Sequence, residues 1–358
     1  MKQKATGYLV NGVALALLYS VIMVLSAAGI LTNYYQGILV LVMINIIMAV
    51  SLNMVTGFLG QLVLGHAGFM SVGAYTAALF TLYSNLPEWL AFPLGILLGG
   101  IVALLFGIVI GIPALRLRGD YLAIITLGFG EIIRVIINSL GFTGGAKGLS
   151  GIPNTTNFSN VYFVMVLCVV IMTTFLRSRH GRAVISIREN EIAAEACGVR
   201  TTYYKMAAFV LSAFFAGIAG ALYAHHVGVL SPAKFDFNYS IEFLVMVVLG
   251  GMGSITGSVV AAIALTIVPE LLREFSDYRM VIYAVLLIVT MLFKPSGLFG
   301  KYEFSLTRLL HRLGALLSKI PLGKAHIPVE DLEIPSEELP VMKRDSRVVD
   351  SGEKREAR

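Results

Sequence analysis

Residues 36–57, QGILVLVMINIIMAVSLNMVTG, contain no charged side chain, and neither do residues 8–30, 62–83 and 89–114. Each run is long enough to cross the roughly 30 Å hydrocarbon core of a bilayer as a helix. A helix satisfies its own backbone hydrogen bonds, which lipid cannot do for it. A β-barrel would alternate polar and apolar residues over short segments, and these runs do not. Only 13% of residues are charged and the mean hydropathy is +0.83, whereas a soluble domain carries about 25% charged residues.

Further spans are expected at 120–140, 161–177, 206–226 and 279–294, with a long apolar region at 240–272. Lys2 and Lys4 orient the amino end to the cytoplasm, and MKQKATGYLV reads as the start of a retained span rather than a cleaved leader. Arg116 and Arg118 mark the inner end of the fourth span. Six basic residues, Arg177, Arg179, Arg182, Arg188, Arg200 and Lys205, make 177–205 the strongest cytoplasmic loop. As one span, 240–272 would put the basic tail outside. The glycine cluster LGGMGSITG, Leu249–Gly257, therefore predicts two short spans or broken helices meeting at Gly250–Gly253. The expected fold is an all-α polytopic membrane protein with about ten passes and both ends cytoplasmic. Small residues four apart, Gly95/Gly99, Gly107/Gly111 and Ala216/Gly220/Ala224, suit close helix packing.

Residues 1–298 form the expected transmembrane domain. Leu306, Leu309, Leu310, Leu313, Leu316, Leu317 and Ile320 repeat at helical spacing among Arg308, Arg312 and Lys319. They predict an amphipathic interfacial helix within 299–324. Residues 325–358 are charged and proline-dotted, as in a disordered tail. The basic residues sit in links between spans, the pattern of membrane orientation rather than of nucleic-acid binding. Cys168 and Cys197 lie in unlike surroundings and read as unpaired.

The chain carries no GxxxxGK[ST] phosphate loop, no HExxH and no GxSxG. His225 and His226 lack partners at metal spacing, so no metal or catalytic residue is expected. The polar groups at membrane depth carry more information. Glu131 and Arg134 share one helix face, continued by Asn138. They read as a pathway group or as an ion pair that fixes packing. Glu242 is a weaker case. The glycine-rich stretch 57–79 holds Gln61, His66, Ser71 and Tyr75, which could line a polar pathway or make interhelical contacts. The outer loop from Thr143, TGGAKGLSGIPN, contains Gly144, Lys147 and Gly151 and fits a partner contact or a flexible connection equally.

One cytoplasmic segment stands apart: RENEIAAEACGVR, residues 188–200. Ile185, Ile187, Ile192, Ala193, Ala196 and Cys197 form a rough apolar stripe, flanked by Glu189, Glu191 and Glu195. Gly198 is a helix stop. A short amphipathic helix follows, either solvated or docked.

This segment resembles the coupling-helix motif of ABC importer permeases, in which a glutamate precedes two alanines and a glycine follows. Ala193, Ala194 and Gly198 match. Ile192 stands at the glutamate position beside Glu191, and AFVL replaces the downstream Ile-x-Leu-Pro. The stretches TGFLGQLVLGHAGFMSVGAYTAAL, LRLRGDYLAIITLGFGEIIR, TGGAKGLSGIP, IRENEIAAEACGV, KMAAFVLSAFFAGIAGALYA, SPAKFDFNYSIEFLVMVVLGGMGS and LFKPSGL are similar to LivM-type permeases of bacterial branched-chain amino acid ABC importers. They extend over about residues 45–298.

The resemblance implies a permease subunit of the bacterial inner membrane that is not itself an enzyme. It would pair with a second permease, two ATPase subunits that bind ATP and magnesium, and an extracytoplasmic substrate-binding protein. Glu191, Ala193, Ala194, Glu195 and Gly198 would couple to an ATPase. The outer loops Gly144–Pro153 and Ser231–Asn238, the latter with Lys234, would meet the binding protein. The expected substrates are leucine, isoleucine and valine. Urea, short amides or other amino acids are the alternative within the branch. An ion-coupled secondary amino-acid transporter is the third reading; it would use Glu131 and Arg134 and leave the Ala193–Gly198 helix without a role.

Overall fold

The computed structural model describes residues 2–300, apart from 30, 118 and several positions between 276 and 296. The expected interfacial helix and charged tail lie outside the described residues, as does much of the expected span at 279–294. Eleven α-helices are described: α1 (Lys2–Ala27), α2 (Asn33–Asn53), α3 (His66–Tyr83), α4 (Glu88–Ala114), α5 (Asp120–Ser139), α6 (Phe158–Arg177), α7 (Arg179–Glu189), α8 (Glu191–Ala196), α9 (Thr201–Val227), α10 (Phe237–Gly250) and α11 (Ile255–Leu271). A π-helical turn, Met54–Leu59, prolongs α2. Two-residue strands β1 (Leu149–Ser150) and β2 (Val229–Leu230) pair antiparallel.

Five helices are long and apolar enough to cross a membrane: Asn33–Leu59, Glu88–Ala114, Asp120–Ser139, Phe158–Arg177 and Thr201–Val227. Gly12–Ala27, α10 and α11 are shorter apolar helices. The protein is thus a multi-pass helical membrane protein. The most apolar stretches of α2 and α9 are 83% and 72% buried, against 28% for α5 and α6. The former are therefore the axis of the bundle, and the latter leave large apolar faces to lipid or to another subunit.

Glycine sets how closely the axis packs. A Cβ on Gly73 of α3 would overlap the backbone of Gly217 on α9. One on Gly217 would sit 2.6 Å from Gly99 O of α4, and one on Gly99 would sit 2.7 Å from Gly73 O. Three helices thus meet backbone to backbone at a single glycine node. Gly99 and Gly107 of α4 belong to the small-residue spacing read from the sequence, and a Cβ on Gly107 would meet Ala213; on α9 the node falls on Gly217, whereas Gly220 of the expected stripe lies against Met70 O of α3. Dispersion contacts at such distances hold membrane helices together where no hydrophobic driving force exists.

The region 240–272 is two helices, as expected. Gly251 and Gly253 adopt φ of +112° and +90°, conformations that L side chains rarely take. The chain turns there, and the Ser254 hydroxyl caps α11 by accepting from Gly257 N at 3.1 Å. α11 then runs antiparallel to α2. Asn53 Nδ2 donates to Ser254 O at 2.9 Å, Asn45 Nδ2 to Thr266 Oγ1 at 2.9 Å, and Arg273 Nη1 to Tyr34 Oη at 2.6 Å. The turn therefore lies beside the carboxyl end of α2, and α10–α11 is a helical hairpin rather than one kinked span.

Candidate functional site

Between α6 and α9, in the loop rich in basic residues, the chain builds a small helical assembly. Ser178 caps α7 by accepting from His180 N and Gly181 N. Asn190 then interrupts the helix with an extended backbone (φ −161°) and caps α8, accepting from Ala193 N at 3.0 Å. The segment read from the sequence as one amphipathic helix is therefore two. Its apolar stripe divides at the break: Ile187 is buried, whereas Ile192 is 75% exposed. The cause is Asn190, whose side chain replaces a helical partner for the Ala193 amide.

α8 closes on a paired hydrogen-bond motif. Gly198 N donates to Glu195 O at 2.8 Å and Val199 N to Ala194 O at 3.0 Å. Gly198 supplies the left-handed residue, φ +82°, that this closure requires. A six-residue helix is not stable by itself, and two side-chain clamps hold this one to α9. Lys205 Nζ is 2.7 Å from Glu191 Oε1, and Thr201 Oγ1 donates to Glu195 Oε1 at 2.8 Å. Ala194 is buried against the chain. Ile192, Ala193 and Cys197 remain exposed. Beside them runs an open groove of about 750 Å³, lined by Glu195, Gly198, Val199, Arg200 and Tyr203 among others. Both glutamates expected to couple thus bond within the chain through Oε1, Glu191 half-buried and Glu195 exposed beside the apolar edge of Ile192, Ala193 and Cys197.

The intramembrane candidates separate into two kinds. His66 is 1% exposed and its Nε2 is 2.9 Å from Ser51 Oγ; Tyr75 is 3% exposed and its hydroxyl donates to Leu230 O at 3.3 Å. Both are enclosed by neighbouring segments. Gln61 lies in the non-helical stretch 60–65, its Oε1 buried without a hydrogen-bond partner. Glu131 and Arg134 bond each other at 2.7 Å with about a third of each side chain exposed (36% and 34%). They lie on α5, next to the exposed Ile132, Val135 and Ile136. Glu242 is partly buried on α10, under the charges of Lys234 and Asp236.

One juxtaposition had no sequence signal. Ala67 N donates to Ser240 Oγ at 3.1 Å, so the amino ends of two short helices, α3 and α10, meet inside the bundle. Gly65 of this junction abuts the Thr126 carbonyl of α5, and Leu64 N donates to Thr126 Oγ1 at 3.1 Å.

The two loops expected on the outer side form one surface, because β1 and β2 zip them together with Leu149 opposite Leu230. Lys147 is exposed on it. Lys234 is also exposed, with Nζ 4.5 Å from the centre of the Tyr239 ring. Gly144 (φ +81°) and Gly151 (φ +83°) shape the backbone; a Cβ on Gly144 would strike Gly148 O, whereas Gly151 faces open space.

Residues 34–291 match the family described as branched-chain amino acid transport system, permease component. The LivM permease protein of the high-affinity branched-chain amino acid transport system of Salmonella typhimurium is 40% identical over 277 residues. That match covers 68% of this chain and 64% of the relative, so the chain spans just under two thirds of that relative's length. The LivH permease protein of the same organism is 29% identical over 171 residues, 47% of this chain and 55% of the relative. A probable LivM protein of Methanocaldococcus jannaschii is 25% identical over 232 residues, 57% of this chain and 67% of the relative. No solved structure matches. With a family match across most of its helical bundle, the chain belongs to the permease components of branched-chain amino acid transport systems.

Proposed function

We propose that this chain is the transmembrane permease subunit of an ATP-driven importer for leucine, isoleucine and valine in a bacterial inner membrane. It makes about ten passes with both ends cytoplasmic. It is not itself an enzyme and binds no cofactor. A second, related permease completes the pathway; similarity to both LivM and LivH relatives supports a pair of homologous subunits. Two ATPase subunits bind ATP and magnesium, and an extracytoplasmic binding protein delivers substrate to the surface joined by β1 and β2.

The observation that carries this reading is α8. It is a six-residue helix in the loop rich in basic residues, capped at both ends and clamped to α9, with Ile192, Ala193 and Cys197 exposed. Such an apolar edge fits a cleft on an ATPase subunit. Closure of the ATPases moves α8 as a rigid body, and α9 with it, between two states of the bundle.

Glu131 and Arg134 support a placement of the pathway. Charged groups facing lipid are costly, so their half-exposed face of α5 turns toward the second permease. The pair offers one carboxylate and one guanidinium, complements of a zwitterion's ammonium and carboxylate, among isoleucines and valine that suit an aliphatic side chain.

The test is uptake into proteoliposomes holding both permeases and the ATPases, with the binding protein supplied outside. Leucine accumulation that requires ATP and the binding protein is expected. Accumulation driven by a proton or sodium gradient without ATP would overturn the importer reading, and transport of urea in place of leucine would overturn the substrate.

A further inference from the structure

Arg188 is the last arginine before the α7–α8 break, and in the sequence it is one basic residue among six in its loop. In the fold it leaves the loop. Its Nη1 donates to Gly57 O in the π-helical turn that ends α2, at 2.6 Å. Its stem lies on Gly60, where a Cβ would come within 3.0 Å of Arg188 Cγ. Its guanidinium also lies against the hairpin turn of α10–α11, where a Cβ on Gly253 would sit 2.7 Å from Nη1.

Three glycine backbones, at 57, 60 and 253, thus enclose one side chain. Two of them, Gly60 (φ +78°) and Gly253 (φ +90°), have left-handed conformations at chain reversals. The last carbonyls of a helix lack intrahelical partners, and a cation there is favoured by the helix dipole. Asn53 ties the other side of the cluster. Its Oδ1 accepts from Gly253 N at 2.9 Å, and its Nδ2 donates to Ser254 O and to Ser258 Oγ at 2.9 and 2.8 Å. Asn53 is fully buried.

We propose that Arg188 is the positioning residue that transmits movement of the cytoplasmic α7–α8 segment to the end of α2 and the α10–α11 hairpin. It stands two residues before Asn190, the cap of α8, so displacement of α8 reaches it through a single turn of chain. The Lys205 clamp leads to α9, which the glycine node locks against α3 and α4. The Arg188 route ends instead at two chain reversals, where glycine torsions can absorb a change of angle. α10 carries Ser240, the acceptor for the Ala67 amide where α3 and α10 meet, so a shift of the hairpin reaches that junction. This inference rests on the importer reading above and names the contact that would make it work.

The experiment uses the complete importer in proteoliposomes. It compares ATP hydrolysed per leucine transported for the native chain, Arg188→Gln, Arg188→Lys and the exposed-residue control Arg182→Gln. For Arg188→Gln, binding of ATPase subunits and ATP hydrolysis should stay within about twofold while transport falls on the order of tenfold, the range a coupling contact modulates. Lysine should restore part of the loss, since it keeps the charge but not the fork. Spin labels at Ala196, exposed on α8, and at Met252, in the hairpin turn, give a second readout. Nucleotide trapping should move both labels in the native complex but only the Ala196 label in Arg188→Gln. Equal loss of hydrolysis and transport, unchanged transport, or an unchanged shift at Met252 would overturn the proposal. A native complex that holds no ATPase subunit would overturn the importer reading itself.

Discussion

Lys205 Nζ lies 2.7 Å from Glu191 Oε1, across fourteen residues of chain, with the lysine side chain 6% exposed and the glutamate 27%. The bond ties the first residue of α8 to the shaft of α9, a helix at the axis of the bundle. A lysine this enclosed needs its partner, because an uncompensated buried charge is costly. Lys205→Met should therefore loosen α8 by about 2 kcal/mol, the typical worth of a charge-assisted hydrogen bond. Limited proteolysis at residues 190–200 should accelerate, and ATPase subunits should co-purify less well. An unchanged cleavage rate would show that α8 is held without the pair.

Gly198 makes a separate demand. Its φ of +82° closes α8, and open space surrounds the position where a Cβ would go. Gly198→Ala should thus cost about 1–2 kcal/mol through backbone strain alone, and Gly198→Asn less. Thermal unfolding of the detergent-solubilised protein measures the difference, and equal midpoints for glycine, asparagine and alanine would refute it.

The Glu131–Arg134 pair calls for a double-mutant cycle. If it contacts substrate, Glu131→Ala, Arg134→Ala and the double variant should each lower leucine uptake by about tenfold or more, with expression and melting temperature preserved. A double variant as active as the native chain would assign the pair to packing alone.

On the surface joined by β1 and β2, Lys147 and Gly144 test different things. Gly144 is a fold position, since any side chain there strikes Gly148. Lys147 is exposed, so Lys147→Glu should leave the loop folded and weaken a contact with the binding protein. Stimulation of ATP hydrolysis by that protein should fall several-fold at low salt, and the deficit should shrink at high salt as screening grows. Equal stimulation at all salt concentrations would remove Lys147 from the contact.

At the glycine node, Gly217→Val would drive a branched side chain into Gly99 O and Ala103 Cβ. Overpacking of this kind costs about 1–3 kcal/mol or more. Loss of folded protein on size-exclusion chromatography is the expected readout. Gly12→Val, at a position with nothing within 4 Å, is the matched control.

The apolar runs determined the helices, because lipid leaves an uncharged twenty-residue segment no other way to satisfy its backbone. Leu249–Gly257 likewise determined where α10 gives way to α11, since only glycine turns there without strain. Asn190 before EIAA was a legible helix cap that a reading by apolar stripe alone passes over. The destinations of long polar side chains were settled only in three dimensions. By sequence, Arg188 and Lys205 orient the loop, and Asn53 is one polar residue in an apolar run. The fold carries the first to Gly57, the second to Glu191 and the third to Gly253. A charge in a loop records which side of the membrane it occupies, whereas its partner is chosen by which backbones the packed helices bring within about 3 Å of it.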